Sequence, residues 1–231
     1  MKTLEFFDRK LDDLVVAMKD VYALMGYGDH QPSEMVLGII DDVMGDLRSH
    51  LELRYGYVLT DGFVGEKGCV TLQGVDFITG PVIASAMKNA DKYALFVCTI
   101  GSGFDEYINK IKEEDDILRM FVADAVGSVL AECTVDLLIS KLKSSANAQG
   151  WNISNNYSPG YCSWSLTDQR KLFSFFPEGI TGISLNDSCL MHPVKSVSGI
   201  IAVGQNVVKK PYACAICNQE SCIKNKKNRK I

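Results

Sequence analysis

The chain has 231 residues, 47% hydrophobic and 23% charged, which is a globular composition with enough chain for one sizeable core or two small ones. A net charge of −4 argues against holding nucleic acid by bulk attraction. The first twenty residues, MKTLEFFDRKLDDLVVAMKD, are charged throughout and lack a secretory core, and no apolar run reaches the ~18 residues of a membrane span, so no membrane association and a cytoplasmic location are expected.

Leu4, Phe7, Leu11, Leu14, Val15 and Met18 recur at helical spacing with Asp and Lys between them, which predicts an amphipathic helix over 3–26. Ser33 is placed to cap a second helix, Glu34–Leu47, with Val36, Ile39, Ile40 and Val43 inward. Glu52–Thr60 alternates polar and bulky residues and reads as a strand; a turn at Thr60-Asp61-Gly62 leads to more strand ending near Leu72. Gly80-Pro81 opens a helix. YALFVCTIG, from Tyr93, is a buried strand. Helices follow over 104–114 and 116–143, the second with Gly127 and Ser128 as small residues for close packing. From Ser144 to Trp164 the composition shifts to Asn, Ser, Gly and Pro, a long irregular segment of the kind that often carries function. Leu166–Phe176 reads as a short helix, and GITGISL and SGIIAVGQN as strands. The mixture lacks βαβ alternation. The expected class is therefore α+β, a twisted, largely antiparallel sheet with flanking helices. The expected organisation is an N-terminal helical region over 1–60 packed on the main domain, an α+β core over 61–210, and a Cys-rich basic tail over 211–231.

Common catalytic patterns are missing: no phosphate-cradling GxxxxGK[ST], no GxGxxG, no HExxH and no GxSxG. IGSGF at 100–104 offers amides to an anion, but two glycines after a strand fit a plain turn better. Of the three histidines, His30 and His50 sit by turns or charges and only His192 lies in an unusual segment. There are eight cysteines, and a reducing compartment argues against structural disulfides. Cys98 and Cys133 read as small buried apolar groups. Cys214, Cys217 and Cys222, in CAICNQESC, have a spacing that suits a zinc ion, an iron–sulfur cluster, a thiol–disulfide pair, or simply three reduced thiols. The final KNKKNRKI reads as a solvated basic tail.

Two segments stand out. Pro159-Gly160-Tyr161 is followed, about thirty residues on, by DSCLMHPVKSVSG ending at Gly199, with the helix-like LTDQRKLFSFF between them. This pair, with its spacing, resembles the reactivation (activation) domain of cobalamin-dependent methionine synthase, which carries an arginine three residues ahead of the proline of Pro-Gly-Tyr and later a segment like ESFAMxPxxSVSG. Leu130-Ala131-Glu132 resembles the helix that supplies a carboxylate to the ligand. The similarity covers about Ala123 to Gly204, and the chain looks like the small free-standing members of that family.

The resemblance implies an activation-domain fold and binding of S-adenosylmethionine by Glu132, Ser158, Pro159, Gly160, Tyr161, Met191, Ser196 and Ser198. It implies no catalytic nucleophile. The partner would be a cobalamin-dependent methionine synthase or another corrinoid protein, with the cobalamin on that partner and electrons from a flavin-containing donor. The module would position the ligand while cob(II)alamin is reductively methylated. Asn156 stands where the family carries its arginine, so a bidentate grip on the ligand carboxylate is not supplied.

Overall fold

A computed structural model describes residues 3–209. Its strands are β1 (Thr3–Arg9), β2 (Leu53–Thr60), β3 (Gly62–Val64), β4 (Cys69–Leu72), β5 (Val75–Ile78), β6 (Lys92–Thr99), β7 (Asn152–Ile153), β8 (Ser184–Leu185), β9 (Met191–His192) and β10 (Ser196–Gly204). The helices are α1 (Met18–Leu24), α2 (Glu34–Leu47), α3 (Gly80–Met87), α4 (Gly103–Glu113), α5 (Ile117–Asn147) and α6 (Gln169–Phe173). The main sheet is five-stranded, in the order β1-β2-β6-β10-β7, and its paired strands are antiparallel. The α+β class therefore holds.

Alternation along the strands sends side chains to two covered faces. On one face Tyr55, Tyr57, Ala94, Phe96, Cys98, Ile201 and Val203 meet Val135, Leu138 and Leu142 from the C-terminal half of α5. On the other, Val58, Tyr93, Leu95, Val97, Ile200 and Ala202 meet the small sheet β3-β4-β5, helix α3 and the segment carrying Trp164, Leu172, Phe175 and Phe176. α5 has 31 residues, hence a length of about 46 Å, and runs past the sheet to pack its N-terminal half on α2 and α4. Gly127 lets it do so: a Cβ there would collide with the ring of Phe104 on α4. Asp116 caps α5 through its side chain, which accepts from Arg119 N at 2.9 Å.

Residues 3–26 do not form one helix. Thr3–Arg9 is an edge strand paired with β2, Leu11–Asp13 is a single 3-10 turn, and only Met18–Leu24 is helical. The Leu4/Phe7/Leu11 spacing imitates a helical face. In the strand, Leu4 and Phe6 pack on one side of the sheet and Phe7 on the other. Main-sheet pairing thus reaches back through β1 and β2, both inside the segment 1–60. Helix α2 has the expected bounds, but its Ser33 makes no side-chain cap. GITGISL contributes only the two residues of β8, and the long helix continues four residues past Lys143.

The IGSGF turn is structural. Gly101 has φ +89° and lies against the backbone of Glu52, and a Cβ on Gly103 would overlap the His50 carbonyl. Both glycines serve the close approach of two loops. Among the described residues no helix is long and apolar enough to cross a membrane.

Candidate functional site

The Pro-Gly-Tyr segment folds into a tight turn. Tyr161 N donates to Ser158 O (3.3 Å), Gly160 N to Trp164 O (2.8 Å) and Trp164 N to Tyr161 O (2.9 Å). Gly160 has φ +93°, and the next two positions, Cys162 and Ser163, are also left-handed, at +51° and +69°. A Cβ on Gly160 would meet only Leu166 Cδ1, at 3.7 Å, so backbone conformation and not space demands glycine there. The turn is pinned by Trp164, which is 2% exposed, meets Phe77 edge-on at 6.0 Å and donates from Nε1 to Asp168 Oδ2 at 2.9 Å. Cys162 O lies 3.2 Å from where a Cβ of Gly80 would stand, so the turn also rests on the start of α3. Pinned on its inner side, the turn turns Gly160 and Tyr161 outward; Tyr161 is 45% exposed.

The second segment is held by carboxylates and cations from other elements. Asn186 Oδ1 accepts from Ser188 N (3.0 Å) and Leu190 N (2.9 Å). Arg170, on α6, donates to the Asn186 and Asp187 carbonyls at 3.2 and 2.8 Å. The Asp105 carboxylate accepts from Val194 N at 3.1 Å. Lys195 Nζ reaches Asp124 Oδ1 (2.7 Å) and Ser128 Oγ (2.8 Å) on α5 and lies 5.6 Å from the centre of the Phe104 ring. The helix between the two segments is more than a spacer, since it supplies both Arg170 and the buried Leu172.

The two segments meet along β10. Tyr157 N donates to Ile200 O (3.0 Å) and Ile200 N to Tyr157 O (2.8 Å), which lays the chain entering the turn against the first half of β10. α5 covers the opposite flank. Glu132 is exposed on it, in a row with Asp124 and Ser128 at four-residue spacing. Burial pushes the Cys98 thiol well up, and the nearby Glu132 charge pushes it further. Cys98 is the cross-strand partner of Val197. Glu132 thus sits behind β10 at the level of Val197, with the Ser158–Tyr161 turn along its edge.

Ser158, Pro159, Gly160, Tyr161 and Ser198 therefore lie along the first half of β10, Ser198 on the same face as Val97 and Ile200, while Glu132 lies on the α5 side of the sheet. Ser198 is 2% exposed and its hydroxyl has no hydrogen-bond partner. Ser196 and Met191 are engaged elsewhere. Ser196 Oγ lies 2.7 Å from the Pro193 carbonyl and 2.8 Å from Thr99 Oγ1. Met191 pairs with Leu185 and packs into the core. Cys214, Cys217 and Cys222 lie outside the described residues. Cys133 is half-buried, and burial first, then Asp136, Asp20 and Glu132, raise its thiol to about 11. Both it and Cys98 stay protonated and unreactive at neutral pH. Lys195, Asp105 and Asp124, which fix the second segment, were not singled out by sequence. The one local signal was the four-residue spacing of Asp124, Ser128 and Glu132.

The family of the vitamin B12 dependent methionine synthase activation domain matches residues 72–230. The chain belongs to that family. Among solved structures, a crystal structure of the MetH reactivation domain bound to AdoHcy is similar, with TM-score 0.68 and 13% identity, covering 91% of this chain and 80% of that one. At that identity the likeness shows the shared fold. No curated protein matches.

An S-adenosylmethionine-type ligand can be tested against this turn and strand. Its ammonium and sulfonium suit the exposed Glu132 and the Tyr161 ring. The buried Ser198 hydroxyl is a polar atom awaiting a partner. The carboxylate end is less well matched, because the half-buried Asn156 offers an amide in place of a guanidinium.

Proposed function

We propose that the chain is a free-standing reactivation module, which binds S-adenosylmethionine beside the first half of β10 and docks on a cobalamin-bearing methyltransferase to support reductive methylation of cob(II)alamin. Family membership and fold support this reading. The observation that carries it is the double Tyr157–Ile200 backbone bond, which sets the Ser158–Tyr161 turn along one side of β10 while α5 presents Glu132 on the other.

Bound S-adenosylmethionine supplies a methyl group on a sulfonium. The chain's own residues hold and orient it. Glu132 takes the ammonium in a charge-assisted hydrogen bond. The Tyr161 face covers the cationic sulfur. Gly160 keeps a side chain away from the ligand, with Ser158 and Pro159 shaping the approach. Ser198 offers its hydroxyl, while Met191 and Ser196 brace the second segment behind it. The contribution is positioning, which needs no nucleophile. The cobalamin belongs to the partner, the electron comes from a flavin-containing donor, and the setting is the cytoplasm.

Asn156 favours a second reading, a corrinoid-protein partner that does not bind S-adenosylmethionine and uses Cys214, Cys217 and Cys222 for a zinc ion or iron–sulfur cluster, or serves as a non-catalytic interaction domain. Calorimetric titration with S-adenosylmethionine, with and without a cobalamin-loaded methyltransferase, separates the two. The first reading expects one site that Glu132→Gln abolishes. Silence under both conditions overturns it. Metal analysis and visible absorption of anaerobically purified protein then test the cysteines.

A further inference from the structure

We infer that a cavity at the end of the main sheet is a second small-molecule site, for a zwitterionic α-amino acid with an apolar side chain. The cavity has a volume of about 690 Å³ and is bounded by the ends of β1, β2 and β6, the start of α4, Thr181-Gly182 and Pro193. Small-molecule sites span roughly 300–1,000 Å³. None of Glu132, Ser158, Gly160 or Tyr161 lines it. The inference is therefore independent of S-adenosylmethionine binding.

Its floor is apolar and its rim is charged in both signs. Leu51 and Leu53 are buried beneath it. On the rim, Arg54 is already committed, with Nε donating to Asp8 Oδ1 at 2.7 Å and Nη1 to the Ile180 carbonyl at 3.4 Å. Arg9 lies over the Phe7 and Tyr55 rings. Lys10 and Glu52 are different. Their main chains are fixed: Lys10 N donates to Asp13 Oδ2 (3.0 Å), Glu52 N donates to Ile100 O (3.2 Å), and Gly101 lies against Glu52. Yet among the described residues neither the Lys10 ammonium nor the Glu52 carboxylate has an ion-pair partner.

That combination selects a ligand class. A simple anion would face Asp8, Asp13 and Glu52, and a simple cation Arg9, Lys10 and Arg54. A molecule with one charge of each sign satisfies both free heads. Its ammonium meets Glu52. Its carboxylate meets Lys10, with the N-terminus of the 11-residue α4, at Ser102, adding a favourable dipole. An apolar side chain then lies on Leu51 and Leu53.

The test uses the whole chain and L-methionine as probe, followed by backbone amide chemical shifts. The expected result is a set of shifts centred on Leu53, Thr99 and Gly101. N-acetyl-L-methionine, without the ammonium, and L-methioninamide, without the carboxylate, should each bind about tenfold more weakly or worse. Glu52→Gln should weaken L-methionine but not the N-acetyl compound, and Lys10→Met should weaken it but not the amide. Both positions are exposed, and unchanged shift dispersion will show that the variants fold. Shifts centred on Tyr161, no shifts at about 10 mM, where even a millimolar site is filled, or unchanged affinity in both variants would overturn the inference.

Discussion

Tyr157 and Ile200 exchange both backbone hydrogen bonds, at 3.0 and 2.8 Å, and this one bridge fixes where the Pro-Gly-Tyr turn lies against β10. Beside it, Gly199 leaves no room for a side chain, because a Cβ there would overlap the Tyr157 carbonyl and press on the Phe96 ring. Gly199→Ala should therefore push the 157 strand off β10. Overpacking of this kind costs about 1–3 kcal/mol. Urea denaturation should show that loss, and the Tyr157 amide should exchange with deuterium faster than the β6–β10 amides. Equal protection at Tyr157 in variant and parent would mean that the bridge is not what holds the turn.

Lys195 ties the second segment to α5. Its side chain is 11% exposed, and its partner Asp124 is 67% exposed. The pair straddles the surface, so the coupling is modest, about 0.5–1 kcal/mol after solvent screening. A double-mutant cycle with Lys195→Met and Asp124→Asn should return that value at low salt and less at high salt. Additive effects would show that Lys195 acts through Ser128 and the Phe104 ring alone.

Much of this architecture was legible in the sequence, and the failures have a common cause. Glu34–Leu47 is recovered because a helix's pattern lies within its own residues. β1 is misread because Thr3 finds its partner at Leu59, and nothing local reveals that the Phe6-Phe7 step crosses a sheet buried on both faces. The site divides the same way. Pro159-Gly160-Tyr161 and Ser196-Val197-Ser198-Gly199 are contiguous and readable. The Lys195–Asp124 contact joins positions 71 apart, and the cavity is assembled from residues between Asp8 and Pro193. Only the folded chain shows these.

Acid should loosen the helical end of the molecule first at Asp46. This carboxylate on α2 accepts from Arg119 on α5 (2.6 Å) and from Tyr107 on α4 (3.1 Å). Burial alone would raise its pKa, but the bonds from Arg119 and Tyr107 and the Arg119 charge outweigh burial and hold it below the usual 3.8. A depressed pKa in the folded state means stability that is present above the unfolded value and lost as pH falls through the folded one. The stability difference between the parent and Asp46→Asn should be constant from neutral pH to about 5 and shrink below the usual carboxylate value. Denaturation series across that range measure it, and a difference that persists undiminished below pH 3 would contradict the assignment.

The sharpest prediction concerns Asn156, one residue before the Tyr157 bridge. The proposed ligand carries a carboxylate, and an amide side chain meets it with neutral hydrogen bonds where a guanidinium would give two charge-assisted ones. Asn156→Arg should therefore tighten S-adenosylmethionine binding by about tenfold, from one added charge-assisted contact partly offset by side-chain ordering. Decarboxylated S-adenosylmethionine serves as the control, since it keeps the sulfonium and the amine but offers the arginine nothing to hold. Its affinity should not rise, and should fall slightly from the added positive charge. Calorimetry with both ligands reads the two effects separately. A gain shared equally by both ligands would place the new arginine away from the carboxylate, and with it the proposed orientation of the ligand beside β10.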